Sequence, residues 1–222
     1  MIDFFHRQHY ITHDGSSSFR LNDINEQFHS KYGALQESLH IYIHNGLNTF
    51  SDKSTLCILE MGFGTGLNAL LTLAHQKERT IYYHTIEAYP LSLSEVKSLN
   101  YGTLFDEKYL QPFLEMHSDN NNERELSPNF YFKKRIERLQ TSSLKRNFYD
   151  LVYFDAFSPT VQPELWEREI FAKILATMKT GGILVTYCAK GSVKRSIREA
   201  GFEVKAIPGA LGKREMTCCV KK

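Results

Sequence analysis

The densest chemical signal in the chain is the stretch Glu60-Met61-Gly62-Phe63-Gly64-Thr65-Gly66-Leu67-Asn68. Glycines at alternate positions allow a tight turn and the close approach of a ligand. The spacing is G-x-G-x-G with an acid two residues ahead. A dinucleotide fingerprint runs G-x-G-x-x-G, and a phosphate-binding P-loop needs Gly-Lys-Ser/Thr. The acid is ill suited to a pyrophosphate but suits the ammonium of S-adenosylmethionine. The plain alternative is a strand-to-helix turn with no ligand. Glu87 stands 21 residues beyond Gly66. An acid at that offset can accept hydrogen bonds from a ribose, of this cofactor or of NAD.

A second signal is Phe154-Asp155-Ala156-Phe157-Ser158-Pro159, at the end of an apolar run. It resembles the Asp-Pro-Pro-Tyr loop of amine-methylating enzymes. A carboxylate there can accept a hydrogen bond from an amine and aim its lone pair. Methyl transfer is an in-line displacement, so alignment carries much of the catalysis. The amine must also lose a proton, which Asp155 can accept directly or through water. The competing reading makes Asp155 a cap of its own loop or the next helix. A third signal, Pro208–Met216, sets Lys213 and Arg214 among glycines, which suits phosphate contact or an ordinary hairpin. Lys190, Lys194, Arg195 and Arg198 add charge nearby, as do Lys133, Lys134, Arg135 and Arg138.

These residues need a scaffold. Leu56–Leu59, Ile81–Ile86, Phe130–Lys133, Leu151–Phe154 and Ile183–Tyr187 read as strands, the first and fourth continuously apolar, as in a sheet covered on both faces. Helices are expected over Leu67–Gln76, Leu91–Leu99, Asp106–Glu115, Pro163–Met178 and Ser192–Ala200. The polar stretch His117–Asn129 is expected to be a surface loop. Phe202–Ile207 and Arg214–Val220 are joined by a loop too short for a parallel crossover, so this pair must be antiparallel. Ahead of the alternation, Asp14-Gly15 marks a hairpin over residues 10–21, and a helix is expected from about Asn25 to His44. The expected organisation is an extension over 1–50 followed by an α/β, Rossmann-like domain over 51–222. Its sheet is mostly parallel and ends in an antiparallel hairpin.

Composition narrows the function. The 222 residues are 42% apolar and 23% charged, a globular balance, with a net charge of +2. The average conceals a split. Residues 1–132 hold 9 basic and 16 acidic side chains, and residues 133–222 hold 18 and 9. An acidic half beside a basic half hints at a polyanionic partner for one face. No apolar run approaches a membrane span, and Met1–Arg7 lacks the pattern of a leader. Cys57, Cys188, Cys218 and Cys219 form no CxxC pair, and His40 and His44 have no HExxH or cysteine partner. The expectation is therefore reduced thiols, no metal and a cytoplasmic location.

Taken together, the motifs resemble one family. Asp14-Gly15-Ser16, Phe28-His29-Ser30, Gly33-Ala34 and Glu37-Ser38 match in order. So do the glycine loop through Asn68, Asp155–Pro159 with Pro163-Glu164-Leu165-Trp166, Ala189-Lys190-Gly191 with Val193-Lys194-Arg195, and Gly212–Met216. The chain resembles the MnmC-like (MnmD-type) methyltransferase domain that acts on 5-aminomethyl-(2-thio)uridine at the tRNA wobble position. The resemblance implies S-adenosylmethionine held by Glu60, Gly62, Phe63, Gly64, Thr65, Gly66, Asn68 and Glu87, with Glu137 in place of the acid that reads adenine. It implies Asp155 as the catalytic acid. It also implies substrate contacts from Phe157, Ser158, Pro159, Lys190, Lys213, Arg214 and Glu215, with the tRNA anticodon arm as partner. The bifunctional members add an FAD-dependent oxidase. This chain stops six residues after Met216, so no FAD oxidase domain is expected in it, and the aminomethyl substrate is expected ready-made. A small-molecule amine or polyamine-type transferase on the same fold, and a non-catalytic cofactor- or RNA-binding module, are the alternatives.

Overall fold

The computed structural model describes residues 6–118 and 121–222. The leader reading rests partly on residues 1–5, and the surface-loop reading partly on 119–120, which lie outside the described residues. A small antiparallel sheet comes first: β1 (Arg7–Ile11), β2 (Ser17–Leu21) and β3 (Glu26–Gln27). Its turn does more than reverse the chain. Asp14 Oδ2 accepts from the Gln36 amide at 2.9 Å, Thr12 Oγ1 from Ala34 at 3.3 Å and Ser16 Oγ from Leu35 at 3.2 Å. Three turn side chains thus satisfy the free amides of the helix that follows, which has no cap of its own.

That helix is shorter than the sequence spacing suggests. α1 covers Ala34–Ser38 and runs on into a wide π turn over Leu39–His44. The expected start at Asn25 is wrong because Glu26–Gln27 pairs with β2 and Phe28 donates its amide to Phe19 O at 2.9 Å. Phe28 and Tyr32 therefore lie in the bend and turn between β3 and α1, where both line a cavity.

The main sheet has eight strands. β4 (Thr55–Met61) leads through α2 (Leu67–Ala74) to β5 (Thr80–Glu87). Three short helices follow, α3 (Leu93–Ser98), α4 (Tyr101–Leu104) and α5 (Leu110–Met116). Then come β6 (Arg124–Ser127), β7 (Phe130–Ile136), β8 (Tyr149–Phe154), α6 (Arg168–Thr177), β9 (Met178–Thr186), α7 (Gly191–Glu199), β10 (Phe202–Pro208) and β11 (Glu215–Lys221). The spatial order is β10-β11-β9-β8-β4-β5-β7-β6. The four central pairings are parallel and β11 is antiparallel to β10, as expected; β11 is also antiparallel to β9. Three local expectations fail. Four residues of the supposed polar loop, Arg124–Ser127, form β6, an antiparallel edge strand on β7. Gly181-Gly182 lie inside β9 at a register shift against β8 rather than before the strand. Pro163 opens only a 3-10 turn, because Trp166 is buried and its indole donates to Phe157 O at 2.8 Å; α6 starts at Arg168.

Alternation along β4 splits the core. Leu56 and Ile58 face α2, α5 and the Ile41–Ile43 segment, whereas Cys57, Leu59 and Met61 face α6 and α7. The order reverses between β4 and β8, whose carboxyl ends stand side by side. Open α/β sheets take their ligands at such a switch point.

Candidate active site

The glycine loop leaves β4 and the Asp155 loop leaves β8, so pairing of these two strands brings them together. The Asp155 amide donates to Met61 O at 2.9 Å, and the Gly62 amide donates to Ile86 O at 3.0 Å. Gly62 has φ +85°, and a Cβ there would stand 2.4 Å from Asp155 O. Gly66, at φ +76°, has the rings of Phe63 and His117 within 3 Å of a virtual Cβ. Side chains at either position would push the loops apart or unseat the start of α2.

The loops open into a cavity of about 1290 Å³. It is lined by Gly62, Phe63, Gly64, Thr65, Asn68, Glu87, Glu137, Asp155, Phe157 and Lys213 of the residues expected at the site. Glu87 ends β5 and Glu137 directly follows the adjacent strand β7, and the Glu137 amide donates to Glu87 O at 3.1 Å. The Glu87 carboxylate accepts from the Gly64 amide at 2.9 Å and the Tyr89 amide at 2.7 Å. It fixes the glycine loop and keeps lone pairs free toward the cavity. Glu137 lies 2.8 Å from the Arg135 guanidinium.

The residues at the other end of the cavity converge on Asp155. Asn68 Nδ2 donates to Asp155 Oδ2 at 2.8 Å. Burial raises the Asp155 carboxyl to about 6, although the Tyr42 hydroxyl, the Asn68 amide and the Lys213 charge oppose the rise. Lys213 Nζ bonds Glu37 Oε1 at 2.6 Å and sits over the Tyr187 ring, 4.5 Å from its centroid. Tyr187 in turn donates to Ala156 O at 2.9 Å. Phe28 meets Phe157 edge-to-face at 5.1 Å. The result is an acid held among aromatic faces, with an ammonium already seated on a carboxylate and a ring nearby. This environment fits an amine as ligand.

Other expected residues lie elsewhere. Glu60 is fully buried and does not line the cavity. Neither do Gly66, Ser158, Pro159, Lys190, Arg214 or Glu215. The Ser158 hydroxyl is bonded to Glu26, Lys190 Nζ to Thr160 at 2.9 Å, and Glu215 to Lys194 at 2.7 Å, while Arg214 is exposed. The sequence reading gave no role to Tyr42, Glu37, Phe28 or Tyr187. Phe28 and Glu37 belong to the short motifs Phe28-His29-Ser30 and Glu37-Ser38, which were the available signal. Tyr42 and Tyr187 carried none. No group of three or more metal-ligating side chains occurs among the described residues.

The glycine cradle, the strand-end acids and the cavity size fit S-adenosylmethionine: the loop admits close contact, and Glu87 and Glu137 offer acceptors for hydroxyl and amino groups. Comparison with known proteins agrees. Residues 100–222 match the model of a family described as S-adenosyl-L-methionine-dependent methyltransferase. The chain is 27% identical to the tRNA 5-methylaminomethyl-2-thiouridine biosynthesis bifunctional protein MnmC of Pseudoalteromonas translucida, over 88% of this chain and 33% of that protein. It is 29% identical to the MnmC of Ralstonia nicotianae over 90% and 32%. The chain thus spans about a third of the length of these curated relatives. The crystal structure of MNMC2 from Aquifex aeolicus superposes with a TM-score of 0.81 at 24% identity, covering 100% of this chain and 72% of that one. Spermidine synthase from Thermotoga maritima shares the fold at a TM-score of 0.56 and 12% identity, over 93% and 68%.

Proposed function

Because the chain belongs to this family of S-adenosyl-L-methionine-dependent methyltransferases, we propose that it methylates the exocyclic amine of 5-aminomethyl-(2-thio)uridine at the wobble position of tRNA. The observation that carries the reading is the placement of Asp155. It is a carboxyl raised to about 6, held by Asn68 and facing the glycine loop across the β4/β8 switch point. The match to the methyltransferase part of tRNA-modifying relatives supports the choice of substrate.

When bound, S-adenosylmethionine supplies a sulfonium-activated methyl group. The glycine loop, Glu87 and Glu137 would hold it. Asp155 orients the attacking amine. At neutral pH it is mostly ionised, and a group titrating near 6 can accept the amine's proton and release it to water. Phe157 and Phe28, packed on each other, offer an apolar wall to the nucleobase, and Lys213, paired with Glu37 over the Tyr187 ring, closes the same end of the cavity. Lys190 and Arg214, outside the cavity, meet the phosphates of the anticodon arm. In this arrangement the charge split along the chain is not a clean division of labour. Glu26 and Glu37 of the acidic half line the same end as Asp155, and Lys213 of the basic half lies inside.

A second reading, transfer to a free polyamine, draws on the same acidic lining, since Glu26, Glu37 and Asp155 would suit any alkylammonium. Nucleoside mass spectrometry of tRNA from cells lacking the protein separates the two. Accumulation of the aminomethyl nucleoside supports the tRNA reading, and an unchanged nucleoside profile rejects it.

A further inference from the structure

Glu60 is the one acid of the glycine motif that the cavity does not use. The penultimate residue of β4, it points into the core beneath α2, with an exposure of 0%. The polar groups facing it are Thr85 and Tyr83 from β5, Asn68 from α2 and, at longer range, Asp155 and Tyr153 from β8 and its loop. Thr85, Asn68 and Tyr83 stand close enough to favour an ionised Glu60 carboxylate, but burial outweighs them, and neither Glu60 oxygen, nor Thr85 Oγ1, Tyr83 Oη or Asn68 Oδ1, completes a well-formed hydrogen bond. All are sealed from water. None of these facing groups is a cation that could balance an ionised carboxylate, and Asp155 adds a second acid. A bare buried charge of this kind is expensive, whereas a neutral carboxylic acid both removes the charge and adds a donor. Asn68 joins the two acids. Its amide nitrogen holds Asp155 at 2.8 Å while its oxygen is left without a donor.

We propose that Glu60 is a protonated, neutral positioning residue that locks the Asn68 amide and through it the Asp155 carboxylate, and that it is not a ligand of the cofactor's ammonium. The proton stays on Glu60, the sealed member of the pair, and leaves Asp155, the member open to the cavity, free to ionise. One proton is thereby divided unequally between two nearby carboxyls, as their environments dictate. This assignment replaces the role that motif spacing gives to Glu60. Its kinetic consequence rests on the methyltransferase reading; its protonation state does not.

The test pairs two variants with one measurement on the unaltered protein. Glu60→Gln copies the neutral acid in shape and charge. It should leave cofactor affinity by calorimetry and kcat within about 2-fold of wild type, with the acid limb of the pH–rate profile unmoved. Glu60→Ala frees Asn68. It should lower kcat by roughly 10- to 100-fold, the effect of a small misplacement of a reacting group, with cofactor affinity kept within a few-fold. Infrared spectroscopy of ligand-free protein carrying carboxyl-13C glutamate should show a protonated-carboxyl stretch that persists at pH 8 and is absent from Glu60→Gln. The proposal fails if Glu60→Gln weakens cofactor binding tenfold or moves the acid limb down by about one pH unit, as removal of a nearby negative charge would. It also fails if the wild-type protein shows no such band at pH 8, a result that stands even if both variants misfold or the substrate is another amine.

Discussion

Replacing Asp155 by asparagine should abolish methyl transfer and yet stabilise the ligand-free protein. Burial raises the carboxyl from its ordinary 3.8 to about 6, so the fold binds this proton more tightly than the unfolded chain does. Below pH 3.8 both states are protonated and the group is neutral in the balance. As pH rises toward 6 the unfolded chain releases its proton first, and the folded state loses relative stability. Two pK units at 1.36 kcal/mol each give about 3 kcal/mol at neutral pH. Asp155 borders a water-accessible cavity, so this is an upper bound. The amide oxygen that the substitution introduces can still accept from Asn68, which retains most of that hydrogen bond. Equilibrium urea unfolding of both proteins without ligand, from pH 4 to pH 8, reads the difference directly. The variant should gain about 1–3 kcal/mol at pH 8, and the gap should shrink to a few tenths near pH 4. A variant less stable than wild type at pH 8, or a gap independent of pH, would refute the idea that the acid is held at a cost.

Three further outcomes follow from named contacts. Gly62→Ala places a methyl 2.4 Å from Asp155 O at φ +85°, and should cost about 2 kcal/mol or more and at least tenfold in cofactor affinity, checked by thermal unfolding and calorimetry. His29 and His117 are buried neutral, with pKa values pushed down to about 4 and about 3. Stability present above pH 6.5 should therefore drain away as pH falls through those values, and the acid slope in urea unfolding should be shallower for His117→Gln. Arg214→Ala and Lys190→Ala should each reduce the slope of log affinity for tRNA against log salt by about 0.7–1 in a binding titration, with cofactor affinity unchanged.

Most of the scaffold is legible from the chain because parallel central strands leave a simple trace. Leu56–Leu59 and Leu151–Phe154 are continuously apolar, and the short link between β10 and β11 admits only an antiparallel pair. The N-terminal helix is misjudged because Phe28, Tyr32, Leu35 and Leu39 fall at helical intervals for two different reasons. The first two line the cavity from the bend and turn ahead of α1, and the last two lie on α1 and its π turn. Arg124–Ser127 hides as a strand because an edge strand with polar side chains looks like a loop until its partner is known. At the site, the glycine loop, Glu87 and Asp155 are recognisable by spacing from strand ends. Tyr42, Glu37 and Tyr187 are not, since each reaches Asp155 or Lys213 through tertiary contacts that no local pattern encodes. Glu60 shows the opposite failure: its motif position is informative, but alternation along β4 turns the side chain away from the cavity.

Methyl transfer to the wobble nucleoside is read by incubating the purified protein with methyl-labelled S-adenosylmethionine and tRNA carrying 5-aminomethyluridine at that position. Label should appear in the methylaminomethyl nucleoside, should vanish with Asp155→Asn, and should not appear in tRNA lacking the aminomethyl group. A protein that binds the cofactor yet transfers no label to this tRNA is not the proposed wobble-uridine methyltransferase.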